Sequence, residues 1–459
     1  GAGAGVSPRY VVCADTGSTF TKAAAVVVDG TDAGRLLATT AVPTTVGPGL
    51  DVLTGLDAAV ARVVAEAGGA PDEVRVCSSA GGGLRLAVVG YERVVTTEAG
   101  ARVGLSAGAK VVHVSSGPLD AAGIAALKAA RPDVVLLVGG TDGGDSEVLR
   151  HNASRLATSG PRVPYVVAGN VDARDDVVEV LEAKRRTVVA CANVLPRIGV
   201  LDPRPARAAI RDVFVRHVIG GKGLTKGPRF ARLVHGATPD LVLAGVEHYA
   251  DSGVGDVLLV DVGGATTDVY SALTPDAEEA SLHREVVEVM WRGRTVEGDL
   301  GMRWSATGVA DAALVEKLVD GAEHDAIDAA AQLRHDDPGW LPVTAADREM
   351  DARLARLALT VALRRHARPA DTVDGRTPGR DLSHIAVVVA SGGVFRHASP
   401  ELLHDMLAPV TTDHAGGWKV PALPRITVDR RYVMAAAGLL AHDNPAAATG
   451  LLADALADV

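Results

Sequence analysis

VVCADTGSTFTK at residues 11–22 and LLVDVGGATTDV at residues 258–269 are the two stretches that decide the fold. Each reads as an apolar strand that ends at an aspartate, then a turn of glycine and hydroxyl residues, then a return to strand-forming sequence. Glycine lets backbone N–H groups approach a phosphate, and successive N–H groups in such a turn form an anion-binding nest. Two copies predict two half-domains that hold one nucleotide from opposite sides. Taken alone, each segment could also be an ordinary hairpin with a glycine turn.

The side chains around the two turns suit a triphosphate with magnesium. Asp15 and Asp261 would repel phosphate, so we expect them to hold Mg2+, directly or through water, and one of them to orient the attacking water. Asp268 is a second candidate base, or a residue that only braces the hairpin, and Lys22 is expected to offset phosphate charge. The predicted phosphate contacts are Thr16, Gly17, Ser18 and Thr19 in the first turn and Gly263, Gly264, Ala265, Thr266 and Thr267 in the second.

A third segment fits the same site. IAVVVASGGVF at residues 385–395 reads as a strand that ends in Ser391-Gly392-Gly393. A Gly-Gly step at the carboxyl end of a strand lets a flat base or ribose approach the backbone, and ligands bind at such strand ends in open α/β sheets. We therefore predict that Ser391, Gly392 and Gly393 contact the nucleoside.

In this order the three segments resemble the actin/Hsp70/sugar-kinase ATPase superfamily, which names them phosphate 1, phosphate 2 and adenosine. Residues 239–251 and 432–440 resemble its two connecting helices. The resemblance implies an α/β actin-like ATPase with duplicated ribonuclease H-like halves. Two positions depart from the pattern. Ala265 stands where many relatives have a third glycine, and Thr238 stands where Hsp70-like relatives have an acidic residue before the proline.

A narrower resemblance, to the MutL/GlmL family of glutamate mutase accessory proteins, rests on four further segments. It implies an ATP-binding, ATP-hydrolysing and chaperone-like factor, a reactivase or assembly factor, for an adenosylcobalamin-dependent mutase such as glutamate mutase. A small-molecule kinase of the same fold and a non-catalytic nucleotide-dependent scaffold stay open as alternative functions. The chain could also form a homodimer. The four segments are Val138–Asn152, Val167–Asn170, Ala192–Pro196 and Gly298–Met302.

Strands alternate with helices over residues 110–200, which predicts a Rossmann-like α/β domain inserted between the two phosphate segments. Its strand ends carry polar residues, among them Asn170 and Asn193, that would form either a second ligand site or ordinary turns and caps. The predicted ranges are 1–8 for a cloning remnant, 9–95 for part of the first half, 96–205 for the insertion, 206–255 for the return with the first connecting helix, 256–425 for the second half, and 426–459 for the second connecting helix and tail.

Composition excludes other classes. A net charge of −10 argues against nucleic-acid binding, which needs a basic surface. Three widely spaced cysteines match neither a disulfide framework nor a metal site and favour the reducing cytoplasm. We see no signal peptide or transmembrane stretch and expect no membrane partner. Arg207, Arg211 and Arg216, on a predicted helix, are expected to face solvent.

Overall fold

The computed structural model describes residues 8–92, 96–275, 291–372, 375–377 and 379–458. Residues 1–7 of the predicted cloning remnant lie outside them, as does most of a strand that the sequence predicts over 285–291. The strands β1–β18 are, in chain order, Tyr10–Thr16, Phe20–Val27, Leu36–Pro43, Glu73–Ser78, Leu84–Gly90, Ala109–Ser116, Val134–Leu137, Tyr165–Val167, Val188–Ala190, Val234–Ala237, Asp256–Val262, Thr267–Ala272, Arg292–Glu297, Ala370–Thr372, Gly375–Thr377, Ile385–Ser391, Arg425–Val428 and Ala457–Asp458.

Helices cover these sheets. The α-helices are Val52–Ala67, Thr96–Ser106, Ala121–Ala129, Glu147–Ser159, Val171–Ala183, Arg204–Val213, Arg229–Leu233, Thr238–Tyr249, Ala306–Val315, Gly321–Asp336, Ala345–Ala367, Gly393–Arg396, Pro400–Leu407, Pro409–Thr412, Met434–Leu440 and Pro445–Ala455. No helix among the described residues is long and apolar enough to span a membrane.

Two of the sheets repeat one topology. In the first, β1 pairs antiparallel with β2 and β2 with β3, while β4 and β10 continue parallel on the other side of β1. In the second, β11, β12 and β13 form the same antiparallel hairpins, and β16 and β17 are the parallel strands. The short β18 adds an antiparallel edge. This duplication confirms the predicted actin-like ATPase fold with ribonuclease H-like halves.

Strand alternation divides each half into an outer and an inner core. Val12 of β1 packs outward against the helix Val52–Ala67. Val11 of β1 and Leu259 of β11 point inward and share one buried cluster with the two connecting helices, Thr238–Tyr249 and Met434–Leu440. These helices touch closely, because a Cβ on Gly438 would lie 1.8 Å from the carbonyl oxygen of Leu241. One inner core therefore joins both halves.

The insertion forms a third sheet, in the order β6-β5-β7-β8-β9, with every pairing parallel. The apolar residues on one of its faces, such as Leu136, belong to the outer core of the first half. Two strands bear on the predicted domain ranges. β5 lies within 9–95, the range predicted for the first half, yet it pairs in the inserted sheet. The predicted boundary at residue 426 falls inside β17, which pairs with β16 in the second sheet. Neither pairing is visible in the local sequence, because strand partners are set by long-range contacts.

The expectation that Arg207, Arg211 and Arg216 face solvent is confirmed for Arg216, which is exposed, but is wrong for Arg207, and Arg211 is only partly exposed. Arg207 is buried, its Nε donates to Asp240 Oδ1 at 2.8 Å, and its Nη1 pairs with Glu247. Arg211 also pairs with Asp240, which is fully buried at the start of the first connecting helix. A buried carboxylate needs such partners, so Arg207 and Arg211 anchor the connecting helix to the helix that carries them.

Candidate nucleotide-binding site

The two predicted phosphate turns are built by the same hydrogen bond. The Gly17 N–H donates to the Phe20 carbonyl oxygen at 3.0 Å, and the Gly263 N–H donates to that of Thr266 at 2.9 Å. A Cβ on Gly17 would lie 2.8 Å from the Phe20 oxygen, so this turn requires glycine. The duplicated hairpins therefore end in matching four-residue turns.

Both turns leave backbone donors unused. The N–H groups of Ser18, Thr19, Gly264 and Ala265 donate to no protein acceptor among the described residues. All four residues are exposed. Free amides in paired glycine turns are the arrangement that accepts phosphate oxygens, so the turns fit a polyphosphate.

The predicted threonine hydroxyls are less available. Thr267 is buried and donates to the Leu300 carbonyl oxygen at 2.9 Å, while Thr266 donates to Asp268 Oδ1 at 3.1 Å. Thr16 is fully buried, and its hydroxyl has no partner among the described residues. The side-chain hydroxyls that remain open at the turns are those of Ser18 and Thr19.

The charged residues of the two hairpins occupy matching positions. Asp15 lies opposite Lys22 in the first hairpin, and Asp261 lies opposite Asp268 in the second. Because side chains alternate along a strand, Asp15 shares the inner face with Val11 and Cys13, as Asp261 does with Leu259. All four charged side chains therefore project toward the space between the halves.

Asp15 is held by the residue that departs from the superfamily pattern. The Thr238 hydroxyl donates to Asp15 Oδ1 at 2.6 Å. Thr238 opens the first connecting helix, so the bond ties the phosphate 1 carboxylate to the element that joins the halves. Cys77 is the register partner of Asp15 in β4, and burial, followed by the charge of Asp15, raises the pKa of its thiol well above the usual value.

Asp261 is the perturbed carboxylate of the site. Burial, followed by the negative charge of Asp268, raises its pKa to about 6. Lys22 and a hydrogen bond from Ser391 act in the opposite direction. A carboxylate whose charge is disfavoured inside a cleft, next to glycine turns, is typical of a functional site, and a cation bound there would restore its charge.

Asp268 has a different environment. Arg294 donates to its Oδ2 from Nη2 at 2.7 Å and from Nε at 3.0 Å, and both side chains are nearly buried. Arg294 also donates to the Leu105 carbonyl oxygen in the inserted domain. These contacts match the bracing role considered for Asp268, and they connect the second hairpin to the insertion.

A family comparison matches nearly the whole chain. A family model described as MutL protein matches residues 11–456. The chain belongs to the MutL family. Protein MutL of Clostridium tetanomorphum is 32% identical over 452 residues, which are 94% of this chain and 96% of that protein.

Two solved structures match this MutL-family chain over most of its length. A nucleotide-free diol dehydratase-reactivating factor is 12% identical, with a TM-score of 0.36, over 97% of this chain and 99% of that one. An ATP-dependent caprolactamase from Pseudomonas jessenii is 13% identical, with a TM-score of 0.38, over 94% of this chain and 70% of that one.

The adenosine segment of the MutL-family chain has two distinct glycines. Gly392 follows β16 with φ +121°, and a Cβ there would lie 2.3 Å from the Val262 carbonyl oxygen of the phosphate 2 strand. Gly393 begins a short helix and is exposed, with no atom within 4 Å of its absent Cβ. Gly392 thus allows close packing, whereas Gly393 leaves open space where a nucleoside was predicted.

An aromatic residue that the sequence reasoning missed lies beside Lys22. The Lys22 Nζ is 3.8 Å from the centre of the Tyr432 ring, and Arg396 is 4.1 Å from it. Tyr432 has φ +53°, a conformation that side chains other than glycine rarely adopt, immediately before the second connecting helix. Three elements from both halves meet at this ring. Its place before a helix is visible in the sequence, but its two cationic neighbours are not.

Among the described residues, no group of three or more histidines, cysteines or carboxylates is arranged to hold a metal ion. Mg2+ needs no such cage, because it keeps several waters and binds one or two carboxylates together with phosphate oxygens. Asp15 and Asp261, on the inner face beside the turns, fit that pattern.

The polar strand ends of the insertion are engaged in the fold. Asn193 donates to the Gly140 carbonyl oxygen at 2.8 Å and to Asp142 Oδ1 at 3.0 Å. Asn170 donates to the carbonyl oxygens of Gly144 and Asp145 and caps the helix Val171–Ala183. These bonds support the alternative of ordinary turns and caps rather than a second ligand site.

Proposed function

We propose that this MutL-family chain binds ATP with Mg2+ between its halves, hydrolyses it, and acts as an accessory factor for an adenosylcobalamin-dependent mutase. The observation that carries the nucleotide assignment is the duplicated turn, with its matching hydrogen bond and unused amide donors beside Asp15 and Asp261. The mutase assignment follows from membership in the family and from the resemblance to glutamate mutase accessory proteins.

Phosphoryl transfer needs mainly positioning and charge neutralisation, and the residues around the two turns can supply both. The free amides of both turns would hold the phosphates, and Lys22 would leave the Tyr432 ring to offset their charge. ATP would supply the transferable phosphoryl group, and Mg2+ would neutralise part of the phosphate charge. Asp15, fixed by Thr238, and Asp261 would hold the metal and its waters, and one of them would orient the attacking water.

The architecture offers a route from hydrolysis to a partner. The two halves share one inner core through the paired connecting helices, and both phosphate turns belong to strands of that core. Loss of a phosphate that bridges the turns would change the angle between the halves, a hinge-type switch. We propose that binding of the mutase depends on this angle.

Phosphate release should be measured for the chain alone and with the purified mutase. The proposal predicts stimulated turnover with the mutase and none in Asp261→Ala, whose fold circular dichroism should show to be intact. Phosphate on a metabolite would indicate a kinase, and nucleotide binding without turnover a scaffold. Absence of both stimulation and mutase binding would reject the accessory role, and unchanged turnover in Asp261→Ala would reject the site assignment.

A further inference from the structure

A loop after β13 holds the phosphate 2 turn from its outer side. The Met302 N–H donates to the Gly263 carbonyl oxygen at 2.9 Å. The Gly264 carbonyl oxygen accepts two N–H groups, from Arg303 at 2.8 Å and from Trp304 at 2.9 Å. Carbonyls fixed outward leave the amides of the turn free for phosphate, so the position of this loop sets the orientation of the turn.

The contact between loop and turn is tight. A Cβ on Gly301 would lie 2.6 Å from the Ala265 carbonyl carbon, so only glycine allows this approach. The next contact is the bond from the Thr267 hydroxyl to the Leu300 carbonyl oxygen. Movement of the turn on phosphate binding would therefore move residues 300–304.

The loop is fixed in turn by a buried carboxylate. Arg303 Nη2 donates to Asp351 Oδ2 at 3.1 Å, and Arg334 Nε donates to Asp351 Oδ1 at 2.6 Å. Asp351 is 7% exposed. Both guanidinium groups lie over the Trp340 ring, at 5.9 Å and 4.7 Å from its centre. Asp351 belongs to the helix Ala345–Ala367 and Arg334 to the helix Gly321–Asp336, so a continuous chain of contacts joins the turn to both helices.

We propose that Asp351 is a positioning residue for the phosphate 2 turn, and that residues 300–304 transmit nucleotide binding to the helices Gly321–Asp336 and Ala345–Ala367. This inference rests on the proposed function, because it requires a nucleotide in the turn. Without the Asp351 charge, Arg303 loses its anchor and the loop gains freedom that must be lost again when phosphate binds. A carboxylate that served only the fold would affect stability and leave nucleotide binding unchanged.

The test compares the full-length chain with Asp351→Asn and a matched control, Asp405→Asn. Asp405 forms an exposed ion pair with Arg356, which lies on the same helix as Asp351. The control removes this ion pair and leaves the contacts of residues 300–304 unchanged. The probe is a non-hydrolysable ATP analogue with Mg2+. Calorimetry gives its affinity, and hydrogen exchange at saturating analogue reports on residues 16–20 and 321–336.

We expect wild type and Asp405→Asn to bind equally and to gain exchange protection in both segments. Asp351→Asn should bind about tenfold more weakly, as expected when side chains must be ordered on binding. It should keep the protection of residues 16–20 and lose that of residues 321–336. Asp351→Glu should restore part of both effects.

Wild-type affinity together with full protection of residues 321–336 in Asp351→Asn would overturn the inference while leaving the proposed function intact. If wild type itself gains no protection at residues 16–20, the proposed function fails and this inference fails with it. Should Asp351→Asn not fold, Arg303→Lys gives the same test, because lysine keeps the charge but loses the planar fork that spans Asp351 and the Met302 carbonyl oxygen.

Discussion

Replacement of Asp261 by asparagine should stabilise the nucleotide-free protein and weaken nucleotide binding. The cause is the raised pKa of Asp261, about 6 in the folded chain against 3.8 for the free side chain. A raised carboxyl pKa means that the folded state disfavours the charge. Asparagine keeps the shape and an acceptor oxygen without that charge, so the variant avoids the cost.

The magnitude follows from linkage. The folded and free pKa values of Asp261 differ by about 2.2. At about 1.36 kcal/mol per pKa unit, the charge of Asp261 costs the folded state at most about 3 kcal/mol. Asp261 is partly exposed, and solvent screening reduces this to between about 1 and 3 kcal/mol. The unfolded carboxyl ionises first as pH rises, so the cost grows between pH 3.8 and 6 and is complete above that range. At pH 5 the advantage of Asp261→Asn should be about half of its value at pH 8.

Asp268→Asn is the matched control, because it neutralises the carboxylate directly across the hairpin. Here the expected sign is opposite. Asp268 is the ion-pair partner of the nearly buried Arg294, and removal of one partner of a buried pair costs about 3–5 kcal/mol. Two Asp→Asn changes in one hairpin should therefore shift stability in opposite directions.

Urea unfolding at pH 5 and pH 8, with and without Mg2+ and ATP, measures these effects. At 100 times its Kd, the nucleotide should stabilise wild type by about 2.7 kcal/mol. Asp261→Asn should gain much less. Nucleotide should therefore reduce or reverse the difference in unfolding free energy between the variant and wild type. Destabilisation by Asp261→Asn at pH 8, or an equal gain from nucleotide in both proteins, would refute the reasoning.

Three further outcomes follow from single contacts. Thr238→Val removes the donor to the phosphate 1 aspartate and should slow phosphate release at least tenfold, whereas Thr238→Ser should retain most of it. Gly392→Ala should lower the free energy of unfolding by about 1–3 kcal/mol because of its φ and its contact with the phosphate 2 strand, whereas Gly393→Ala should unfold like wild type and bind nucleotide more weakly. Asp240→Asn should cost about 3–5 kcal/mol in urea unfolding, and the exposed Asp57→Asn less than about 1 kcal/mol.

The fold was predictable from the sequence because its deciding features are local. An apolar strand, an aspartate and a glycine turn are adjacent in the chain, and their repetition at residues 11–22 and 258–269 implied duplicated halves before any pairing was known. The connecting helices were predictable for the same reason. β5 shows the limit. It follows β4 after only five residues, 79–83, and only its pairing with β6 and β7 assigns it to the inserted sheet.

The contacts that the sequence missed join partners that lie far apart in the chain. Arg207 and Arg211 look like a solvated helix face, and the approach of Asp240 from another helix is what buries Arg207. Tyr432 lies far from Lys22 in sequence but forms a cation–π contact with it. A charge pattern along one helix cannot show which opposite charge, or which ring, the fold will bring to it.

The two hairpins show why residue type alone does not assign a role. Position for position, the first pairs Asp15 with Lys22, and the second pairs Asp261 with Asp268. Arg294, from the neighbouring strand, pairs with Asp268, yet Asp268 still raises the pKa of Asp261. The duplicated fold thus places Asp15 and Asp261 at equivalent positions. A cation lies opposite the first and an anion opposite the second, so the two carboxylates have different electrostatic environments. Asp268→Asn removes the charge that helps to raise the pKa of Asp261, so it should lower that pKa. It should also impair turnover more than it impairs nucleotide binding, as phosphate release and nucleotide affinity measured on the folded variant will show.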